Sequence, residues 1–289
     1  MADLSLDELM QLALSAALAG GAELRTHFGA MSRDSVQRKA LGDYASKADL
    51  AAEEAIAAVL ARAGDRYGFV GEETGTRKPD ARRRWVVDPL DGTSNFIWGI
   101  PYFAVSIALC DDDGEILGVV LDPLRDEMFT AVRGQGARMN GKDLTRLEEK
   151  KPEESIISLS MPIHGQLKSM DRSSFFRALD TITNETAGIR RLGSAALDLA
   201  YVGAGRLNGY FEDGLSHYDY AAGKIIAQEA GALVTSLSGG VVKDGGSLLA
   251  GTSPIHQWLQ AKFQQGETPS CKVSQPQAAF DVATVKLQT

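Results

Sequence analysis

Asp88-Pro89-Leu90-Asp91-Gly92-Thr93 sets two carboxylates three residues apart, directly after the apolar run Trp85-Val86-Val87. Carboxylates so placed suit a hard divalent cation such as Mg²⁺, which takes carboxylate, carbonyl and water oxygens. Pro89 fixes its own φ and biases Asp88 towards an extended shape, and Gly92 permits a sharp turn that brings backbone N–H groups close to a ligand. Thr93-Ser94-Asn95 then opens a short helix, and a helix N-terminus receives anions. One turn could therefore offer carboxylates to cations and amides to a phosphate. An isolated Asp-Gly pair, by contrast, is more often a plain turn with a capping Asp.

Three further acidic segments bear on that choice. Gly71-Glu72-Glu73-Thr74 follows the apolar Phe69-Val70, and taken alone reads as a solvated loop. Ser46-Lys47-Ala48-Asp49 opens a helix that continues through Glu53-Glu54, where capping and acids in the first turn are common. Tyr218-Asp219-Tyr220-Ala221-Ala222-Gly223 starts an Ala/Gly-rich helix with an acid, which alone reads as a cap. Capping does not account well for all four together.

Together these blocks resemble the inositol monophosphatase family, in its order and roughly its spacing, over about Leu6 to Gln264. The resemblance implies a layered α-β-α-β-α sandwich of the inositol monophosphatase/fructose-1,6-bisphosphatase type, an α/β (α+β) fold, usually a homodimer. It implies Mg²⁺-dependent hydrolysis of a phosphate monoester with two to three ions per site, and inhibition by Li⁺. Carried over by position, Glu72, Asp88 and the Leu90 carbonyl would hold the first ion, and Asp88, Asp91 and Asp219 the second. A third would sit near Glu72 through water. Asp49 and Thr93 would orient and deprotonate the attacking water, with Glu72 also counted as catalytic. The amides of Gly92 and Thr93 would receive the phosphate, and Gly193, Ser194, Ala195 and Glu212 would contact the alcohol. The family often has Trp where Tyr218 stands; either aromatic can cover a pocket.

Inositol 1-phosphate leads among substrates on this resemblance. Histidinol phosphate, fructose 1,6-bisphosphate and adenosine 3′,5′-bisphosphate remain alternatives. A regulatory protein-binding module on the same fold is the rival from another class, which a broken carboxylate set would favour; none of Asp49, Glu72, Asp88, Asp91, Thr93 or Asp219 is replaced. No Ser or Cys has an evident His partner, so a side-chain nucleophile has no support.

The 289 residues fit one large domain or two smaller ones sharing an interface. A formal net charge of −8 argues against non-specific nucleic-acid binding, which needs a basic surface. It suits anionic substrates only where cations invert the local sign. Cys110 in an apolar run and Cys271 in a polar tail form no disulfide framework. The acidic start, Met1-Ala2-Asp3, is unlike a signal peptide, and no apolar run reaches the roughly 18 residues of a membrane span, so the cytoplasm is the expected location.

The elements that must position these residues follow from periodicity. Leu6 to Phe28 and Ser46 to Arg62 read as amphipathic helices, separated by a polar stretch from Met31 to Asp43. Phe69-Val70 and Trp85 to Val87 read as buried strands delivering acids at their ends. Phe103 to Leu109 and Ile116 to Leu121 form a hairpin across Asp111-Asp112-Asp113-Gly114. Strands are expected at Glu127 to Val132, Ala137 to Asn140, Ser155 to Leu159, Gly209 to Phe211, Ala232 to Leu237 and Ser247 to Ala250. Helices are expected at Ser173 to Thr183, Ser194 to Gly203, Tyr220 to Ala230 and Pro254 to Gln264. The charged stretch Thr145 to Glu154 divides an N-terminal half, 1–145, carrying most metal ligands, from a C-terminal half, 146–265, carrying Asp219 and the substrate contacts; a polar tail, 266–289, follows. Gly134-Gln135-Gly136 reads as a turn and Arg82-Arg83-Arg84 as a solvated loop. Arg190 or Arg191 is a candidate interface residue, and His217 a candidate contact to substrate or metal-held water.

Overall fold

Ser5 starts α1 (Leu6–His27) through a capping box: its hydroxyl accepts the Glu8 N–H, and the Glu8 carboxylate accepts the Ser5 N–H. Leu9, Ala13, Ala16, Ala17, Gly20 and Leu24 recur at helical spacing and are buried. α2 (Lys47–Leu60) packs closely on that stripe, since a Cβ at Gly20 would sit 2.7 Å from the Ile56 side chain. This computed structural model describes residues 4–29, 37–40, 43–45, 47–162 and 165–264. Ser46, most of the stretch from Met31, Cys271 and the tail from 266 lie outside the described residues.

The two helices cover one face of an eight-stranded sheet. Its members are β3 (Tyr67–Gly71), β4 (Gly75–Arg77), β5 (Arg83–Asp91), β6 (Ala104–Asp111), β7 (Gly114–Asp122), β8 (Glu127–Val132), β9 (Ala137–Met139) and β10 (Lys142–Asp143), in the order β10-β9-β8-β7-β6-β5-β3-β4. All pairings are antiparallel except β3 with β5. β1 (Gln37–Ala40) and β2 (Asp43–Ala45) form a separate small pair, and α3 (Thr93–Trp98) follows β5. The hairpin falls where the alternation places it, with Asp111 opposite Gly114.

A second sheet has the order β12-β11-β13-β15-β14, from β11 (Ile156–Leu159), β12 (Gly188–Arg190), β13 (Gly209–Leu215), β14 (Leu233–Thr235) and β15 (Gly246–Gly251). Between the sheets lie α5 (Ala195–Gly203) and α6 (His217–Glu229), which explains why α5 is apolar nearly all round and why α6 buries the run from Tyr220 to Gly223 and Ile225 to Ala227. α4 (Arg172–Glu185) and α7 (Ser253–Gln264) close the far face. Four apolar clusters, one at each layer boundary, define an α-β-α-β-α sandwich. α6 packs on β6, β7 and β8, so the segments either side of 144–155 share a core.

The structure corrects several expectations. Arg83 and Arg84 open β5 rather than a loop, because that strand is sandwiched between β3 and β6. β13 runs on to Leu215, and α6 begins at His217, three residues early, because Ser216 caps it with Asp219. The short strands β4 and β12 are additional to those expected from periodicity. Cys110 is buried, which pushes its thiol up to about 12 and leaves it unreactive. Among the described residues no helix is long and apolar enough to cross a membrane.

Candidate active site

On a regular strand, Asp88 and Asp91 would point to opposite faces, being an odd number of residues apart. β5 avoids this with a bulge: Asp88 pairs Ser106, but Asp91 pairs Ala104, so three steps on β5 match two on β6. Both carboxylates thereby line one cleft of about 210 Å³. Glu72, from the turn after β3, and Asp219, from the first turn of α6, line it too, as do Leu90, Gly92, Thr93, Gly193, Ala195 and Glu212. Asp49, on α2, is buried and close enough to be felt electrostatically at Asp88.

Gly92 is required by backbone shape. It sits at φ 101 as the N-cap of α3, and a Cβ there would lie 3.1 Å from the Tyr102 carbonyl and 3.2 Å from that of Gly193. Asn95 ties the turn down by donating from its side-chain amide to the carbonyls of Tyr102 (2.7 Å) and Leu192 (2.8 Å). Thr93 donates its hydroxyl to the Leu90 carbonyl at 3.0 Å.

Asp91 collects donors from the start of α5: Ser194 Oγ at 2.5 Å, the Ala196 N–H at 2.7 Å and the Ala195 N–H at 3.2 Å. Asp219 accepts the Ser216 N–H at 2.6 Å and Asp88 the Leu90 N–H at 3.0 Å. The cost of crowding these acids is visible in their pKa values. Burial, then repulsion from Glu72, Asp91, Asp219 and Asp49, raises Asp88 well above the carboxylate range. Burial, then Asp91 and Glu72, does the same to Asp219. Burial lifts Asp91 to about 6 against the pull of its donors. Glu212 reaches about 7 through burial, although Tyr210 donates to one of its oxygens at 2.5 Å and Gln166 to the other at 3.0 Å.

An all-oxygen set of crowded carboxylates, with Asp88 and Asp219 raised by burial and by neighbouring acids and Asp91 raised by burial, fits a divalent cation: positive charge at the cleft would relieve both repulsion and desolvation. Arg191 is the single cationic side chain among the described residues lining the cleft, so an anionic phosphate needs further positive charge. Among the described residues no three His, Cys, Asp or Glu side chains are already gathered as an ion cage. The hydrogen bonds above engage both oxygens of Asp91 but only one each of Asp88 and Asp219.

Two sequence expectations move. Ser194 is buried and does not line the cleft; its hydroxyl is spent on Asp91 while it caps α5, rather than facing an alcohol. His217 lies 3.5 Å from Glu115 on β7 and lines a different cavity with Lys224. There, burial alone would raise Glu115, but His217 and Lys224 hold it at about 2. Sequence reasoning missed Ser94, Ser160, Gln166, Gly214 and Leu215 as lining residues. Gln166 carries no local signal, and Arg191 reads from sequence only as a candidate interface charge.

Comparison with known proteins agrees with this architecture. The inositol monophosphatase family profile matches residues 5–268. The chain is 43% identical to an inositol-1-monophosphatase of Mesorhizobium japonicum, over 87% of this chain and 94% of that protein. It is 39% identical to Nus factor SuhB of Pseudomonas aeruginosa, over 91% and 98%. The crystal structure of the extragenic suppressor protein suhB from Bartonella henselae superposes with a TM-score of 0.83 at 38% identity, covering 90% of this chain and 99% of that one. The chain is a phosphoric monoester hydrolase and belongs to the inositol monophosphatase family.

Proposed function

We propose that this phosphatase hydrolyses a small polyol phosphate, inositol 1-phosphate first, with Mg²⁺ at the Asp88–Thr93 turn. The observation that carries the reading is the convergence of Glu72, Asp88, Asp91 and Asp219 on one cleft with little cationic charge of its own. Glu72, Asp88 and the Leu90 carbonyl would hold one ion, and Asp88, Asp91 and Asp219 another, and a third would sit near Glu72 through water. Bound there, the ions would neutralise the phosphate and lower the pKa of a water.

The remaining work falls to the chain. The N–H groups of Gly92 and Thr93 receive phosphate oxygens. Asp49 and Thr93 orient the attacking water and take its proton, so no covalent enzyme intermediate forms. Gly193, Ala195 and Glu212 receive the alcohol. Glu212, with its raised pKa, can donate or accept towards a polyol hydroxyl near neutral pH. Ser194 is reassigned from substrate contact to support of Asp91. A cytoplasmic homodimer inhibited by Li⁺ completes the proposal.

The test is phosphate release from a panel of monoesters containing inositol 1-phosphate, histidinol phosphate, fructose 1,6-bisphosphate and adenosine 3′,5′-bisphosphate. Inositol 1-phosphate should give the highest kcat/KM, and preference for another member would reassign the substrate. The relative named as a Nus factor supports a second reading, a regulatory partner protein bound outside the cleft. Binding to a partner protein that survives loss of turnover would support that reading, and absence of such binding would remove it.

A further inference from the structure

Glu53 is completely buried on α2, one turn beyond Asp49. Its oxygens accept the backbone N–H groups of Glu73 at 2.8 Å and Thr74 at 2.9 Å. Gly71 leaves the slot that the carboxyl fills: a Cβ there would lie 2.5 Å from Glu53 Oε2 and 2.6 Å from its carboxyl carbon. On the opposite side, the Glu72 N–H donates to the Val87 carbonyl of β5 at 3.2 Å. Glu72 is therefore carried on a short turn tied to α2 by one carboxylate and to β5 by its own backbone. Burying a carboxylate is expensive even when it is hydrogen-bonded, and an apolar residue would pack α2 at lower cost. What the carboxylate supplies, and an apolar side chain cannot, is a fixed position for the residues next to Glu72.

We propose that Glu53 is a positioning residue for the metal site: it holds the turn after β3 so that the Glu72 carboxylate stands over the cleft before an ion arrives. This rests on the reading of Glu72 as a metal ligand. α2 then serves the site twice, with Asp49 at the cleft and Glu53 one turn behind it. Loosening the turn adds an ordering step to ion binding while leaving the chemistry of the loaded site alone.

Two substitutions separate this from general packing. Glu53→Gln keeps the size and one acceptor but sets an NH₂ group against the second N–H. Gly71→Ala keeps both acceptors and pushes the carboxyl out of its slot. Mg²⁺ affinity by calorimetry and the half-activating Mg²⁺ concentration are measured on wild type, each variant and the pair. Both variants should weaken Mg²⁺ binding and raise half-activation by at least about tenfold, the usual scale for groups behind a ligand. Turnover at saturating Mg²⁺ should stay within about threefold of wild type, and the pair should be scarcely worse than the weaker single variant. Variants that melt earlier yet bind Mg²⁺ with wild-type affinity would overturn the proposal, as would a loss of saturating turnover at unchanged affinity. Should neither variant fold, amide exchange on the wild type decides: the Glu73 and Thr74 amides should exchange slowly without metal, and open-loop rates would refute it. Failure of the underlying reading is distinct, since wild type itself would then bind no Mg²⁺ and release no phosphate, which also removes the site Glu53 is proposed to serve.

Discussion

Replacing Ser194 by alanine separates two roles for one residue. Its hydroxyl donates to the buried Asp91 carboxylate at 2.5 Å and accepts the Leu197 N–H at 3.4 Å as the cap of α5. A hydrogen bond to a charged group contributes roughly 1.5–3 kcal/mol, and a lost cap costs about 1 kcal/mol. The two act through one hydroxyl and are not fully additive, so about 3 kcal/mol is the expected loss. With an unfolding entropy of about 0.6 kcal/mol/K for a chain of 289 residues, that lowers Tm by roughly 5 °C. The pKa of Asp91 should rise further, because one of the donors restraining it is gone. Proton competition for the ion site then moves the Mg²⁺ requirement up, most of all below neutral pH, while KM for substrate at saturating Mg²⁺ changes little. The assays are a thermal melt, Mg²⁺ activation curves at two pH values and substrate titration. A raised KM with an unchanged Mg²⁺ requirement would contradict this and return Ser194 to the substrate.

Three other outcomes are expected. Asp88→Asn should keep the bond from the Leu90 N–H, relieve repulsion from Glu72, Asp91, Asp219 and Asp49, and so melt higher than metal-free wild type at pH 8, while turnover falls by more than roughly a hundredfold. Gly92→Ala must adopt φ 101 with its Cβ against the Tyr102 carbonyl; a loss of about 2 kcal/mol in stability, read by urea unfolding, and a fall in kcat should follow. Asp91 and Glu212 bind protons more tightly folded than unfolded, with values rising from 3.8 to about 6 and from 4.5 to about 7. Their contribution is therefore present below about pH 4 and lost by about pH 7, on the order of 3 kcal/mol for Asp91 alone. Metal-free protein should lose Tm across that window, and the Tm gained on adding Mg²⁺ should grow with pH.

Much of this site could be read from local residue patterns. Asp88, Asp91, Gly92 and Thr93 are close in the chain, and strand, turn and small helix have local signatures in Val86-Val87, Pro89 and Gly92. The hairpin of β6 and β7 is written in alternation and an Asp-Gly turn. What could not be read depends on contacts between distant residues. Whether Asp88 and Asp91 share a face depends on the bulge against β6, which no local pattern announces. Ser194 reaches Asp91 across 103 positions, and Gln166 reaches Glu212 across 46. Glu53 has the local pattern of a helix-surface acid, yet packing of α2 buries it completely. His217 sits beside Asp219 in sequence, yet the helix turns it towards Glu115.

This cleft should hydrolyse phosphate monoesters only when divalent cations balance its carboxylates. The most direct test is inorganic phosphate release from inositol 1-phosphate by the purified protein, with Mg²⁺ and then with excess chelator. Release with Mg²⁺, abolished by the chelator and restored by added Mg²⁺, is the predicted result; undiminished release with all divalent cations removed would contradict it.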